Sequence, residues 1–195
     1  REEHRNRYLT VHTALRELLG KRLEISPAEV AFEHGPHGKP RLAGGADLHF
    51  NLSDTAGLAL VALATDGPLG VDVERHRDDG TLLEVAARFF SPSEVQALRA
   101  LDADLRLGAF HRIWTRKEAF VKALGRGLDL ELKSFDVSLE PGAGACLLAT
   151  RPDPEEARRW LLCDLDAGPG YSAALALSVV PGQAAAVRVR RLDWS

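Results

Sequence analysis

The chain has 195 residues, 45% of them hydrophobic and 27% charged, a balance that supports a well-buried globular fold and excludes a low-complexity or disordered one. A formal net charge of −3 is too small for nucleic-acid or membrane-surface binding as a global property, so any basic site must be local. Cys146 and Cys163 form neither a metal-ligand spacing nor a disulfide framework, and no apolar run approaches the ~20 residues of a membrane span.

From Tyr8 to Leu23, the apolar residues Tyr8, Val11, Leu15, Leu18, Leu19 and Leu23 recur at three and four, the stripe of an amphipathic helix. The chain contains no methionine and opens on Arg1 within this helical pattern, so it is expected to be part of a longer protein. Ser26-Pro27 with Glu29 suits a short helical start or a turn. A short strand and a loop punctuated by Gly35, Pro36, Gly38 and Pro40 come next. Residues 48–53 alternate as a strand, and residues 57–74 suit two more strands joined at Asp66-Gly67-Pro68. That spacing predicts an antiparallel pair, with Val71-Asp72-Val73-Glu74 beside residues 58–64.

The middle of the chain is helical. Leu82–Phe90 forms one helix, and Ser91-Pro92-Ser93-Glu94 supplies a capping hydroxyl, a first-turn proline and a carboxylate able to reach back. The longest helix is predicted from about Leu105 to Leu124, closed by Gly125 and Gly127. Strand-like segments follow at 134–140, 145–150, 159–168 and 171–180, and residues 184–195 suit an edge strand or a tail. The expected class is α+β, with helices packed on antiparallel sheets and a boundary near residue 68.

Asp72 and Glu74 are two apart on a predicted strand, so both carboxylates project from one face. Buried side by side they are costly unless a partner is present, which leaves a surface edge or a bound cation. On the long helix, Glu118 and Lys122 are four apart in the favourable order, with Lys117 beside them. Taken alone they make a surface ion pair worth about 0.3–0.5 kcal/mol. The same helix carries Phe110, Ile113, Trp114, Phe120 and Val121, which leaves little purely solvated face. Lys39, Lys117 and Lys122 are three of only five lysines against twenty arginines, and a compact ammonium suits a single phosphate oxygen. Three carboxylates with two or three lysines suit Mg²⁺ on a diphosphate, the carboxylates holding the cation and the lysines neutralising phosphate. His34 and His37 lack any Cys or His cluster, and they are expected to be exposed loop residues.

Five stretches in register carry a family resemblance: Gly38-Lys39-Pro40, "FNLS" (50–53), "GVDVE" (70–74), "FFSPSE" (89–94) and "WTRKEAFVKALGRGL" (114–128). In this order the sequence resembles a 4′-phosphopantetheinyl transferase of the larger, monomeric Sfp type, from Arg5 to about Val180. The resemblance implies two similar α+β halves, residues 1–68 and 69–195, forming one compact monomer with its active site in the cleft between them, and the cysteine usage suggests a reducing, cytoplasmic compartment. Coenzyme A would donate its 4′-phosphopantetheine arm to a serine of an apo acyl or peptidyl carrier protein, releasing adenosine 3′,5′-bisphosphate. Asp72, Glu74 and Glu118 would hold Mg²⁺. Glu118 would also serve as base, directly or through a water, and Lys122 would contact the diphosphate and assist the leaving group, with Lys117 nearby.

Coenzyme A contacts carried over by the resemblance are Arg7, Gly38, Lys39, Pro40, Ser53, Lys117 and Lys122. At Asp54 the sequence departs from the family pattern, which places a histidine there, facing the 3′-phosphate. An aspartate would repel that phosphate, which allows two alternatives: Arg7 and a basic segment preceding Arg1 offset the charge, or coenzyme A affinity and donor choice are altered; the same departure motivates a non-catalytic coenzyme A-binding paralogue as the alternative function. A Mg²⁺-dependent phosphohydrolase is a third alternative, but the sequence holds no further acidic cluster to activate water. From charge alone, Arg112, Arg116 or Arg126 is expected to dock an acidic carrier.

Overall fold

Helix α1 (Glu2–Leu23) buries Val11, Leu15 and Leu19, because residues four apart lie above one another on a helix. The computed structural model describes residues 2–140, 144–151, 153–181 and 185–192 of the chain. Leu15 and Leu19 join Val30, Leu42, Leu48 and Phe50 in an amino-terminal core. Two antiparallel hairpins flank it, β1 (Phe32–His34) with β2 (Pro40–Leu42) and β3 (His49–Thr55) with β4 (Leu58–Ala64). Ser26 and Glu29 close the expected capping box on a short 3₁₀ turn.

The acidic strand β5 (Leu69–Arg75) does not pair with β4, contrary to expectation. It lies instead in an antiparallel sheet ordered β5-β9-β8, with β9 (Tyr171–Ser178) and β8 (Trp160–Asp164). Leu69 through Val73 are all buried, and β9 gives β5 an unbroken ladder from Leu69 opposite Leu177 to Arg75 opposite Tyr171. Buried backbone must be paired, and this long partner does so along one whole edge. Strand β4 contributes side chains instead: Leu60, Ala62 and Ala64 pack against Leu69, Val71 and Leu175.

Helices α2 (Leu82–Phe89), α3 (Pro92–Ala100) and α4 (Ala103–Leu124) form the middle of the chain. The capping box at Ser91 and Glu94 is present, and α4 ends on Gly125 in the left-handed conformation. Helix α4 is the centre of the larger core. Phe110 and Trp114 meet Phe90 on one side, while Phe120 meets Phe135 and Trp160 on the other. Phe135 opens β6 (Phe135–Val137), which pairs with β7 (Leu147–Thr150). The class is therefore α+β, helices against antiparallel sheets, as expected. Residues 185–192 form neither helix nor strand, whereas 182–184 and 193–195 lie outside the described residues. No described helix is long and apolar enough to cross a membrane.

Gly70 is where α4 crosses β5. A Cβ there would stand 2.9 Å from the carbonyl carbon of Lys122 and closer still to the Ala119 carbonyl oxygen and the Ala123 amide nitrogen. The missing side chain lets the helix backbone rest directly on the strand.

Candidate active site

Asp72 and Glu74 share the face of Gly70, since alternate residues of a strand project the same way, and that face meets α4. Asp72 is only 4% exposed, and its neighbours are placed by three elements. Lys122 of α4 puts Nζ 2.6 Å from Asp72 Oδ1 and 3.0 Å from Ser53 Oγ. Ser53 of β3 donates its hydroxyl to the same Oδ1 at 2.9 Å. Asp72 Oδ2 is buried and has no hydrogen-bond partner among the described residues.

The acids repel one another. Burial, then the charge of Asp72, raises the pKa of Glu118, against the pull of Lys122. Glu74 is raised for the same reasons in the same order, with Lys122 and Arg77 opposing and Glu118 adding to the rise. Among the described residues, no three carboxylate, histidine or cysteine side chains stand close enough to form a metal cage. Asp72, Glu74 and Glu118 are thus electrostatic neighbours rather than a preformed ligand set. A divalent cation fits this chemistry, because it would satisfy the orphaned Oδ2 and relieve the repulsion that raises the two glutamates.

The residues assigned to the nucleotide side lie on the amino-terminal elements. Arg7 of α1 pairs with Asp54 of β3, Nε to Oδ2, at 2.7 Å. The aspartate in the family's histidine position is therefore balanced by a guanidinium, as one of the two alternatives required. Gly38 occupies the left-handed region at φ 83°, which turns the loop into β2 at Pro40. Lys39 points inward. Its Nζ donates to the carbonyls of Leu69 at 2.8 Å and Ala123 at 3.1 Å, tying this loop to the acidic strand and to the end of α4.

Burial lowers the Lys39 pKa to about 8 from an ordinary 10.5. Between those values the unfolded chain holds a proton that the folded chain has released, so Lys39 makes stability rise with pH over that window. Lys39→Met should lose this rise. Urea denaturation of both proteins across the window checks it, and parallel profiles would exclude the effect.

Two sequence expectations are corrected by helix phase. Lys117 is fully buried and spends its three hydrogens on Glu94 Oε2 at 2.9 Å, the Leu132 carbonyl at 2.7 Å and the Phe135 carbonyl at 2.6 Å. It braces α4 against α3 and β6 and is turned away from Lys122 and Asp72, so its place is in the core rather than on coenzyme A. Arg116 is likewise 0% exposed and grips Asp164 with two nitrogens, at 2.8 and 2.7 Å, which removes it from any docking patch. Arg112 is partly buried on the Leu139 carbonyl, and Arg126 is exposed. His34 is exposed, and His37 pairs with Asp129 at 2.9 Å on the surface.

Other neighbours carry no signal in the sequence. His76 and His111 meet with tilted rings, centroids 4.8 Å apart, although thirty-five positions separate them in the chain. Next to Glu74 opens a groove of about 240 Å³ lined by Arg77, Leu82, Val85, Phe110, His111 and Trp114.

Residues 68–176 match the model of the 4′-phosphopantetheinyl transferase superfamily. The 4′-phosphopantetheinyl transferase HetI of Nostoc sp. is 35% identical over 179 residues, covering 90% of this chain and 72% of that protein. The 4′-phosphopantetheinyl transferase Sfp of Bacillus subtilis is 33% identical over 138 residues, covering 71% of this chain and 60% of its own. Among solved structures, the Thermotoga maritima holo-[acyl-carrier-protein] synthase aligns with a TM-score of 0.45 and 22% identity, over 56% of this chain and 61% of that one.

Proposed function

The chain belongs to the 4′-phosphopantetheinyl transferase superfamily, and on that premise we propose that it transfers the 4′-phosphopantetheine arm of coenzyme A to a serine of an apo acyl or peptidyl carrier protein, with Mg²⁺ as cofactor. The observation that carries the proposal is the buried Asp72, one oxygen held by Ser53 and Lys122 and the other without a hydrogen-bond partner among the described residues, beside Glu74 and Glu118. Asp72, Glu74 and Glu118 would hold the cation, which when bound supplies charge neutralisation on the diphosphate.

The chain's own residues do the rest. Glu118, directly or through a water, accepts the proton of the carrier serine as its oxygen attacks the phosphorus attached to pantetheine. The bond from that phosphorus to the nucleotide oxygen breaks, and adenosine 3′,5′-bisphosphate leaves with its new negative charge facing Lys122. Arg7, Gly38, Lys39 and Pro40 form the nucleotide side, while the Ser53 hydroxyl is committed to Asp72 and Lys122. Lys39 acts there by fixing its loop on Leu69 and Ala123, as its hydrogen bonds indicate. The groove beside Glu74 leaves room for the acceptor.

The halves 1–68 and 69–195 are proposed as the two walls of the cleft, a division supported by their separate cores. Because one chain carries both halves, a monomer is proposed. A cytoplasmic place, service to polyketide or peptide-synthetase carriers, and independence from nucleic acid and membranes belong to the same proposal. The non-catalytic coenzyme A-binding paralogue is not favoured, because Asp54, the feature in its favour, is paired with Arg7, and both Glu118 and Lys122 are present.

The test is release of adenosine 3′,5′-bisphosphate from coenzyme A, followed chromatographically. Release that requires both Mg²⁺ and an apo carrier supports the transferase. Release without a carrier would establish a phosphohydrolase instead.

A further inference from the structure

Apart from its ladder with β9, strand β5 finds no other strand partner among the described residues, and side chains of the amino-terminal half line its second edge. Asn51, Ser53 and Thr55, at alternate positions of β3, accept the backbone N–H groups of Val71 at 2.8 Å, Val73 at 3.2 Å and Arg75 at 3.4 Å. Lys39 and Lys122 take the carbonyls of Leu69 and Val71. Three side chains therefore do for this edge what a neighbouring strand would do, with the same two-residue period.

Within this ladder only Ser53 also touches a carboxylate. A serine hydroxyl has one donor and two acceptor positions, and all are used: it donates to Asp72 Oδ1 and accepts from Val73 N and Lys122 Nζ. That arrangement fixes the rotation of the Asp72 carboxylate, tying Oδ1 down and leaving Oδ2 without a partner. We infer that Ser53 is a positioning residue for the cation: it orients Asp72 so that Oδ2 is presented as the ligand oxygen, a role distinct from contact with coenzyme A. The inference rests on the proposal that Asp72 holds a divalent cation. It makes the amino-terminal half responsible for cation geometry as well as for the nucleotide, through one hydroxyl.

The experiment uses the whole chain and two titrations: Mn²⁺ in the presence of coenzyme A, read as free Mn²⁺ by electron paramagnetic resonance, and coenzyme A in EDTA, read by calorimetry. Ser53→Ala should weaken Mn²⁺ binding ~10-fold or more, the scale on which partners of metal ligands act, and leave the EDTA affinity for coenzyme A within ~2-fold. Ser53→Thr, which keeps the hydroxyl, should restore most of the loss. Asn51→Ala and Thr55→Val brace the same edge without touching Asp72, and should bind Mn²⁺ as wild type does, with folding of every variant checked by circular dichroism. Wild-type Mn²⁺ affinity in Ser53→Ala would overturn the inference. So would equal losses in all three ladder positions, or a loss of coenzyme A affinity in EDTA confined to Ser53→Ala. Wild-type protein that takes up no Mn²⁺ with coenzyme A present would overturn the cation proposal itself, and this inference with it.

Discussion

Glu118→Gln should lower kcat for transfer by about 10²–10⁴-fold, the range expected when a positioned proton acceptor is lost. The amide keeps the shape of the side chain and removes both the basic oxygen and one negative charge from the cation's surroundings. The fold should not suffer. Burial and the charge of Asp72 already disfavour ionised Glu118, so a neutral isostere relieves repulsion, and the melting temperature should stay level or rise. Loss of turnover with retained or increased stability identifies a residue kept for chemistry at a cost to the fold. Single-turnover transfer and thermal unfolding measured on the same preparation decide it. Near-normal kcat in this variant would remove Glu118 from the site.

Gly70→Ala should be the most damaging glycine-to-alanine change among the described residues. The added carbon would meet the backbone of Ala119, Lys122 and Ala123, none of which can swing aside as a side-chain end can. Overpacking of this kind costs about 1–3 kcal/mol and more where backbone must move, so a loss of about 3 kcal/mol or greater is expected. The consequence reaches the site, because the segment pushed away contains Lys122 and adjoins Glu118. A displacement of the order of 1 Å between reacting groups can cost ~10²-fold in rate, so the molecules that still fold should also turn over slowly. Urea denaturation gives the stability, and transfer kinetics below the transition give the rate. A variant as stable as wild type would show that α4 does not rest on Gly70.

Local chemistry made much of this arrangement legible in the sequence. The capping boxes at Ser26 and Ser91, the left-handed Gly125 and the shared face of Asp72 and Glu74 follow from rules that act within a few residues, and each is present. What the sequence hid depends on partners far along the chain. A short turn predicts strand β5 beside β4, yet β4 is fully paired with β3, and the ladder for β5 comes from β9, about a hundred residues away. The charges of Arg116 and Lys117 suggest an accessible site, although both stand three and four residues from Ile113 and Phe120, in the phase of the core. Their acceptors, Asp164 and Glu94, belong to other elements, so nothing near them in sequence marks them as buried pairs. The dual use of Ser53 is hidden in the same way. Its motif suggests a ligand contact, and only the fold brings its hydroxyl onto Asp72.

The proposed reaction moves a phosphopantetheine arm onto a carrier serine. The most direct measurement is the intact mass of an apo carrier protein after incubation with the protein, coenzyme A and Mg²⁺, with the modified residue located by peptide fragmentation. The expected result is a mass gain of one phosphopantetheine on a single serine, absent when the cation is chelated. Unmodified carriers of the fatty-acid, polyketide and peptide-synthetase classes, with coenzyme A binding intact, would contradict it.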